Sequence, residues 1–275
     1  MITLITRNDD FGSARAANGA IMEAVEEGFV KNVSCMAVGP HIDVDAAQLE
    51  ELCKKKNACI GLHAAINAEW DYLKFLPALP AEQIQSLVAE NGIFKMHPMM
   101  YEKQMPVVEE IMKEIRAQLD VLTRLGLTVS YVDTHMLPDA IVPGLKQEIS
   151  RFAEEKGLAD QRWFYTFPSE RQPVPECWTE SSEEIFQAYE KWFDSMEENH
   201  QYISIMHPAK MSMETKMFRN MVLKGDSVAK SRDAEYRVLI SGKLSELAEK
   251  ASVKLIRYTD AIPQGDSIQN ALKHM

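Results

Sequence analysis

Short apolar runs alternate along this chain with longer stretches in which apolar residues recur every three or four positions, the pattern of strands taking turns with amphipathic helices. Residues 2–6 read as a strand. Ser13 stands where it can cap a helix whose apolar face is Ala17, Ala20, Ile21, Ala24 and Val25, and which stops at Gly28. A second strand is predicted at 33–38, a helix at 44–56 and a third strand at 58–63. Val108, Ile111, Met112, Ile115, Leu119, Leu122 and Leu125 step by three and four, an amphipathic helix starting near Val107 and closed by Gly126. A strand at 128–133 follows directly. The second half continues with a helix at 142–156 before Gly157, a strand at 162–166, a helix at 183–196, a strand at 202–206, a helix at 231–250 and a last strand at 253–258.

Strands of nearly continuous apolar character, each followed by a helix, imply parallel strands buried on both faces. The predicted class is α/β, a distorted (β/α) barrel of TIM-like type with eight strands or fewer; a doubly wound open sheet is the alternative. The alternation pauses between Ala64 and Met105, where Trp70, Tyr72, Phe75, Pro77, Pro80, His97 and Pro98 break any period. That stretch reads as an excursion over the barrel mouth, a lid or an oligomer contact, interrupted by a short helix at 81–89.

Composition changes the picture in three ways. With 275 residues, 46% hydrophobic and 26% charged, the chain can bury a full core as one large domain covering 1–275. A net charge of -11 and a pI near 5.2 argue against nucleic acid or an acidic membrane surface as partner and favour a small molecule of little charge. Cys35, Cys53, Cys59 and Cys177 show no C-x-x-C spacing and are expected to be reduced, buried and inert. The N-terminus carries no basic-then-apolar leader and no run approaches the roughly 20 apolar residues of a membrane span, so a cytoplasmic location is expected.

Candidate chemistry lies where the predicted strands end. The first runs into Asn8-Asp9-Asp10-Phe11-Gly12, and two adjacent carboxylates turned into one cavity repel unless a cation lies between them. A divalent metal is one reading; an Asx-turn leading into a helix N-cap is the other. His63 ends the third strand, Asp133 and His135 follow Val129-Ser130-Tyr131-Val132, and His207 follows Ile203-Ser204-Ile205-Met206. Four strands thus deliver metal-type ligands at their C-terminal ends, which in a parallel barrel share one face. His41, His97, His200 and His274 lack this placement and read as surface or loop residues, although the loop of His97 could cover the site.

These blocks, in this order, resemble the YdjC-like carbohydrate deacetylases, which include the chitooligosaccharide deacetylases: Asn8-Asp9-Asp10-Phe11-Gly12 with Asn18-Gly19 and Val33-Ser34, then Gly61-Leu62-His63, Glu114 and Gln118, Asp133-Thr134-His135, Met206-His207-Pro208, and Ser231-Arg232 with Glu235. The resemblance implies a distorted barrel holding one divalent ion, magnesium or zinc, on Asp10, His63 and His135. It implies Asp9 as general base and His207 as general acid in removing an acetyl group from an N-acetylated sugar. Two imidazoles and a carboxylate leave coordination positions open, which suits a catalytic rather than a closed structural ion. Asp133, two positions before His135, faces the same way on a strand and is placed either to hydrogen-bond a catalytic imidazole or to cap the following turn. Trp70, Tyr72 and Phe75 are expected to pack rather than to stack on sugar.

Two positions depart from the family pattern. Met136-Leu137-Pro138-Asp139 stands where the family usually carries further histidines, and Ala209 where it has glycine after His-Pro. Two alternatives accompany the deacetylase reading: a metal-dependent phosphoesterase on a similar barrel, for which the chain supplies few additional strand-end histidines, and, from the altered segment after His135, a sugar-binding or regulatory protein without turnover. A homodimer, through the 64–105 loop, is the expected assembly.

Overall fold

The computed structural model describes residues 1–95, 101, 104–160 and 179–262. Its strands are β1 (Ile2–Phe11), β2 (Asn32–Cys35), β3 (Cys59–Ala64), β4 (Val129–Thr134), β5 (Ala159–Asp160), β6 (Gln201–Met206) and β7 (Val253–Ile256). Its helices are α1 (Arg15–Glu27), α2 (Ile42–Lys56), α3 (Val108–Arg124), α4 (Leu145–Lys156), α5 (Ser182–Asp194), α6 (Gly225–Leu239) and α7 (Lys243–Lys250). These seven strands pair in parallel, in the order β5-β4-β3-β2-β1-β6 with β7 also on β1. The sheet curls into a half-barrel, and among the described residues no ladder joins β5 to β6. No helix of the described residues is long and apolar enough to cross a membrane.

One edge of β1 is shared. β6 pairs with Thr3 to Asn8, while β7 takes Ile2 to Ile5 and β2 takes Arg7, Asn8 and Phe11. Asn32 fills the fork between β7 and β2: its Nδ2 donates to Thr6 O at 2.9 Å and Ile256 O at 3.1 Å, and its Oδ1 accepts from Tyr258 N at 2.8 Å. A buried amide at a fork uses side-chain bonds where the ladder has none to offer.

Alternation along each strand sorts the core into two layers. Leu4, Val33, Cys35, Ile60, Leu62 and Val132 face the helices, whereas Ile5, Cys59, Tyr131, Ile203 and Ile256 meet inside the curl with Tyr258. Gly61 belongs to the inner layer because a Cβ there would lie 2.2 Å from the Tyr131 ring, which itself leans on the Tyr258 ring with centroids 4.3 Å apart.

The described part of the 64–105 excursion contributes a set of apolar side chains to the core. Ala65, Ile66, Ala68, Trp70, Phe75, Ile84, Leu87, Phe94 and Tyr101 are buried. It is pinned to α3: Glu114 accepts from Ala78 N at 2.8 Å and Leu79 N at 3.0 Å, and Gln118 bonds both the N–H and C=O of Ala65. The helix predicted at 81–89 is only a 3-10 turn, Ala81–Gln83. Ile84 and Leu87 are buried one turn apart, but Ser86 gives both its N–H and its hydroxyl to Glu110, which draws the chain out of a helix toward α3.

Other boundaries move for local reasons. β1 runs to Phe11, beyond the predicted residue 6, because β2 continues to pair with it. The single helix predicted at 231–250 is two, parted at Gly242 with φ 78, and the first of them starts at Gly225. Ser13 does not cap α1; Ala14 holds that position without a side-chain bond. Cys35, Cys53 and Cys59 are buried free thiols, as expected; Cys177 and the strand predicted at 162–166 lie outside the described residues, as do His97 and His274.

Candidate metal centre at the barrel mouth

Four inward-facing columns climb the curl two residues at a time: Ile5, Arg7, Asp9 on β1; Cys59, Gly61, His63 on β3; Tyr131, Asp133, His135 on and after β4; Ile203, Ile205, His207 on and after β6. The period of two carries each column from apolar floor to polar mouth. Asp10 is out of phase with Asp9 and is turned inward by a left-handed backbone, φ 70, where the β1–β2 register shifts between Asn8 and Phe11. A non-glycine residue held there costs on the order of 1–3 kcal/mol and persists only where its surroundings impose it.

The predicted residues gather. His63 Nε2 lies 3.2 Å from His135 Nδ1 and 3.6 Å from Asp10 Oδ1, and His135 Nδ1 lies 3.5 Å from Asp10 Oδ1. Donors about 2.0–2.1 Å from one tetrahedral ion stand about 3.3–3.4 Å apart, so this triangle has the span a single ion requires. Asp10 Oδ1 is moreover buried without a hydrogen-bond partner, an orphan that a cation would satisfy. His63, His135 and Asp10 are each 3–4% exposed.

Asp133 sits below the triangle. Its Oδ1 accepts from His63 Nδ1 at 2.5 Å and its Oδ2 accepts from Ser34 Oγ at 2.6 Å, with Tyr131 Oη 2.9 Å from the same serine. A carboxylate on Nδ1 fixes the imidazole with Nε2 toward the mouth, the usual support of a metal-ligating histidine. His207, whose side chain is 42% exposed, closes the rim with Nε2 3.8 Å from Asp9 Oδ2, and its backbone N–H donates to Glu235 Oε2 at 2.5 Å.

Two buried arginines balance the acids. Arg7 Nε and Nη2 lie 2.7 Å from Asp9 Oδ1 and Oδ2, and its Nη1 lies 2.8 Å from Asp133 Oδ2. Arg232 Nη1 holds Asp10 Oδ2 at 2.8 Å, and its guanidinium lies against the stacked pair of Trp70 and Phe218, 5.8 Å and 4.9 Å from the two ring centres. Trp70 and Phe75 are buried, so these aromatic residues of the excursion pack as expected, Phe75 edge-on to the His135 ring at 6.0 Å; Tyr72 is exposed under Arg219.

Electrostatics follow from this packing. Burial raises Asp9 and Asp10, but the guanidiniums and the histidines more than reverse it, holding both carboxyls below the usual range. Burial lowers His63, yet the charges of Asp133 and Asp9 push it up to about 9. Burial dominates at His135, which falls to about 3 despite Asp10. Glu69, on the excursion with Oε2 3.6 Å from His135 Nε2, is pushed up to about 8 by burial and then by the charge of Asp10.

Sequence reasoning did not single out Arg7 or Glu69. Arg7 had a signal, a permanent charge on the inward phase of a strand otherwise fit for the core; Glu69 had none, since nothing local ties it to His135. Outside the cluster, His41 pairs with Glu214 at 3.0 Å and His200 is at the surface, as predicted. In place of further histidines, Met136 and Leu137 adopt left-handed backbone, φ 57 and 51, with Met136 Sδ accepting from Asn67 Nδ2 at 3.0 Å. Ala209 is fully buried with its N–H on Arg232 O.

Known proteins share the family and the fold of this chain. A carbohydrate deacetylase of Brevibacillus brevis is 24% identical over 267 residues, covering 94% of this chain and 98% of that protein. Another from Thermoanaerobacter pseudethanolicus is 29% identical over 132 residues, 48% of this chain, the match spanning about half of that relative (49%). Among solved structures, a protein of Enterococcus faecalis V583 named for cellobiose-phosphate cleavage has a TM-score of 0.74 at 21% identity, covering 94% of this chain and 98% of the other, and so shares the fold. The sequence model of the YdjC-like protein family matches residues 3–250, and the chain belongs to that family.

Proposed function

We propose that this protein is a metal-dependent carbohydrate deacetylase, hydrolysing the acetamide of an N-acetylated mono- or oligosaccharide at the barrel mouth. The observation that carries the reading is the Asp10, His63, His135 triangle, whose donor types and separations suit one divalent ion beside the Asp9–His207 pair. An ion held there would polarise an amide carbonyl and acidify water. Zinc suits two imidazoles and one carboxylate, and magnesium is the alternative if several waters remain.

The chain's own groups supply the proton transfers. Asp9, gripped by Arg7 but open toward His207, takes the proton of the attacking water at Oδ2, which keeps a lone pair beyond the one hydrogen bond it accepts from Arg7 Nη2. His207 Nε2 delivers a proton to the nitrogen as the carbon–nitrogen bond breaks, since an amide leaves poorly as an anion. Asp133 holds His63 in the tautomer that presents Nε2. Arg232, packed against Trp70 and Phe218, orients Asp10.

Acetate release from N-acetylglucosamine oligomers tests the assignment. Asp9→Asn and His207→Ala should keep the ion and lose acetate release by about 10²–10⁴-fold, the usual worth of general acid–base groups. His63→Ala should lose the ion. Undiminished turnover in all three would end the proposal. We further propose a cytoplasmic homodimer, for which Tyr72 and Leu76, 55% and 63% exposed on the excursion, offer apolar contact surface; light scattering at working concentration checks the assembly.

A further inference from the structure

Asp9, His63 and Asp133 form a second group of metal-ligand type, each offering an atom within 4.8 Å of the others, and it shares His63 with the triangle above. His63 Nε2 serves the triangle and its Nδ1 donates to Asp133, so what this second group offers a further cation is the two carboxylates, Asp9 and Asp133. The chain places a cation of its own there. Arg7 is 4% exposed, and its three nitrogens lie 2.7 Å from each oxygen of Asp9 and 2.8 Å from Asp133, with Nη1 also donating to Tyr258 Oη at 3.0 Å.

We propose that Arg7 is the second cation of this centre: its guanidinium occupies the place between Asp9 and Asp133 that a second metal ion would take, and thereby keeps the centre mononuclear. Charge favours this division. Asp9, Asp10 and Asp133 against Arg7 and Arg232 leave one negative charge, which a single divalent ion turns into one positive and a second ion would turn into three in a buried site. Arginine stays protonated in proteins, and its planar fork matches a carboxylate edge.

The choice of cation has a chemical consequence. An ion ligated by Asp9 would set a double positive charge against that carboxylate and make it a weaker base than the single charge of a guanidinium does. Arg7 also grips Asp133, which orients His63, so one side chain sets both Asp9 and a triangle member. It is a positioning residue, and it also separates a one-ion amide hydrolase from the two-ion phosphoesterase alternative.

The inference rests on the one-ion reading above, and the test separates the two. Metal-depleted wild type, Arg7→Lys, Arg7→Met and Arg7→Gln are titrated with cobalt(II), with the ion count taken from the absorption spectrum and from elemental analysis. Wild type and Arg7→Lys should take one ion per chain. Arg7→Met should take two, and adding Asp133→Asn should return it to one. Should Arg7→Met fail to fold, Arg7→Gln removes the same charge while keeping polar contact with Asp9, and it should also take two. A wild type that binds two ions in excess metal, or a folded Arg7→Met or Arg7→Gln that stops at one, overturns the proposal. A wild type that binds none removes the one-ion reading itself, a failure visible before any Arg7 variant is measured.

Discussion

Uptake of an ion at Asp10, His63 and His135 should release one proton, and that proton should come from His63. In the metal-free site burial lowers His63, but Asp133 at 2.5 Å and the charges of Asp9 and Asp10 hold it protonated up to about pH 9. His135, at about 3 through burial, is already neutral, and Asp10 is already ionised beside Arg232. Nε2 of His63 can ligate only after losing its proton, so affinity should rise tenfold for each pH unit below about 9 and level off above it. Between pH 6.5 and 8.5 that is about 100-fold, or about 2.7 kcal/mol. Zinc titrations against a competing chelator across this range give the slope, and calorimetry in buffers of different ionisation heat gives the proton count. An affinity independent of pH would refute the assignment of charges in this site.

Stability and packing give further tests. Because His63 moves from 6.5 to about 9 on folding, its contribution of about 3 kcal/mol to the metal-free protein is complete below pH 6.5 and lost as the pH rises through 9; chemical denaturation at pH 6.5 and 9.5 should show the fall, and added metal should abolish it. Gly61→Ala drives a Cβ to 2.2 Å from the buried Tyr131 ring and should cost about 1–3 kcal/mol, read as a lower denaturation midpoint with unchanged slope. Glu114→Ala strips the acceptor from the Ala78 and Leu79 N–H groups, each worth about 1–3 kcal/mol when orphaned, and should open the excursion to limited proteolysis before the barrel unfolds.

Much of this site was legible because a strand's period of two is rigid. Once Cys59, Tyr131 and Ile203 are placed inward, His63, His135 and His207 must emerge on the same face at the same end. Asp10 obeys no period; its convergence with Asp9 rests on one left-handed residue that a two-carboxylate end suggested but pattern alone could not place. Arg7 was hidden for a different reason: hydropathy treats an arginine in an apolar strand as an interruption, whereas here its carboxylate partners come from its own strand and from β4.

The fold shows the same division. Parallel sense follows from alternation, while the shared edge of β1 depends on Asn32 bonding to residues as distant as Ile256 and Tyr258. The excursion was recognisable as irregular, yet its role as core was not, because Glu114 and Gln118 anchor it from 35 to 53 residues away. The start of α6 escaped because its first face is small: a Cβ at Gly225 would lie 1.9 Å from Lys216 O, so close packing rather than an apolar stripe places that turn.

The most direct test of the whole account is stoichiometric reconstitution. Metal-depleted protein is returned to activity with measured additions of zinc while acetate release from an N-acetylglucosamine oligomer is recorded. The account predicts no release without metal and a rise that breaks sharply at one ion per chain. Release that persists in chelator, that climbs until two ions are bound, or that never begins although the ion and the sugar both bind, would contradict it.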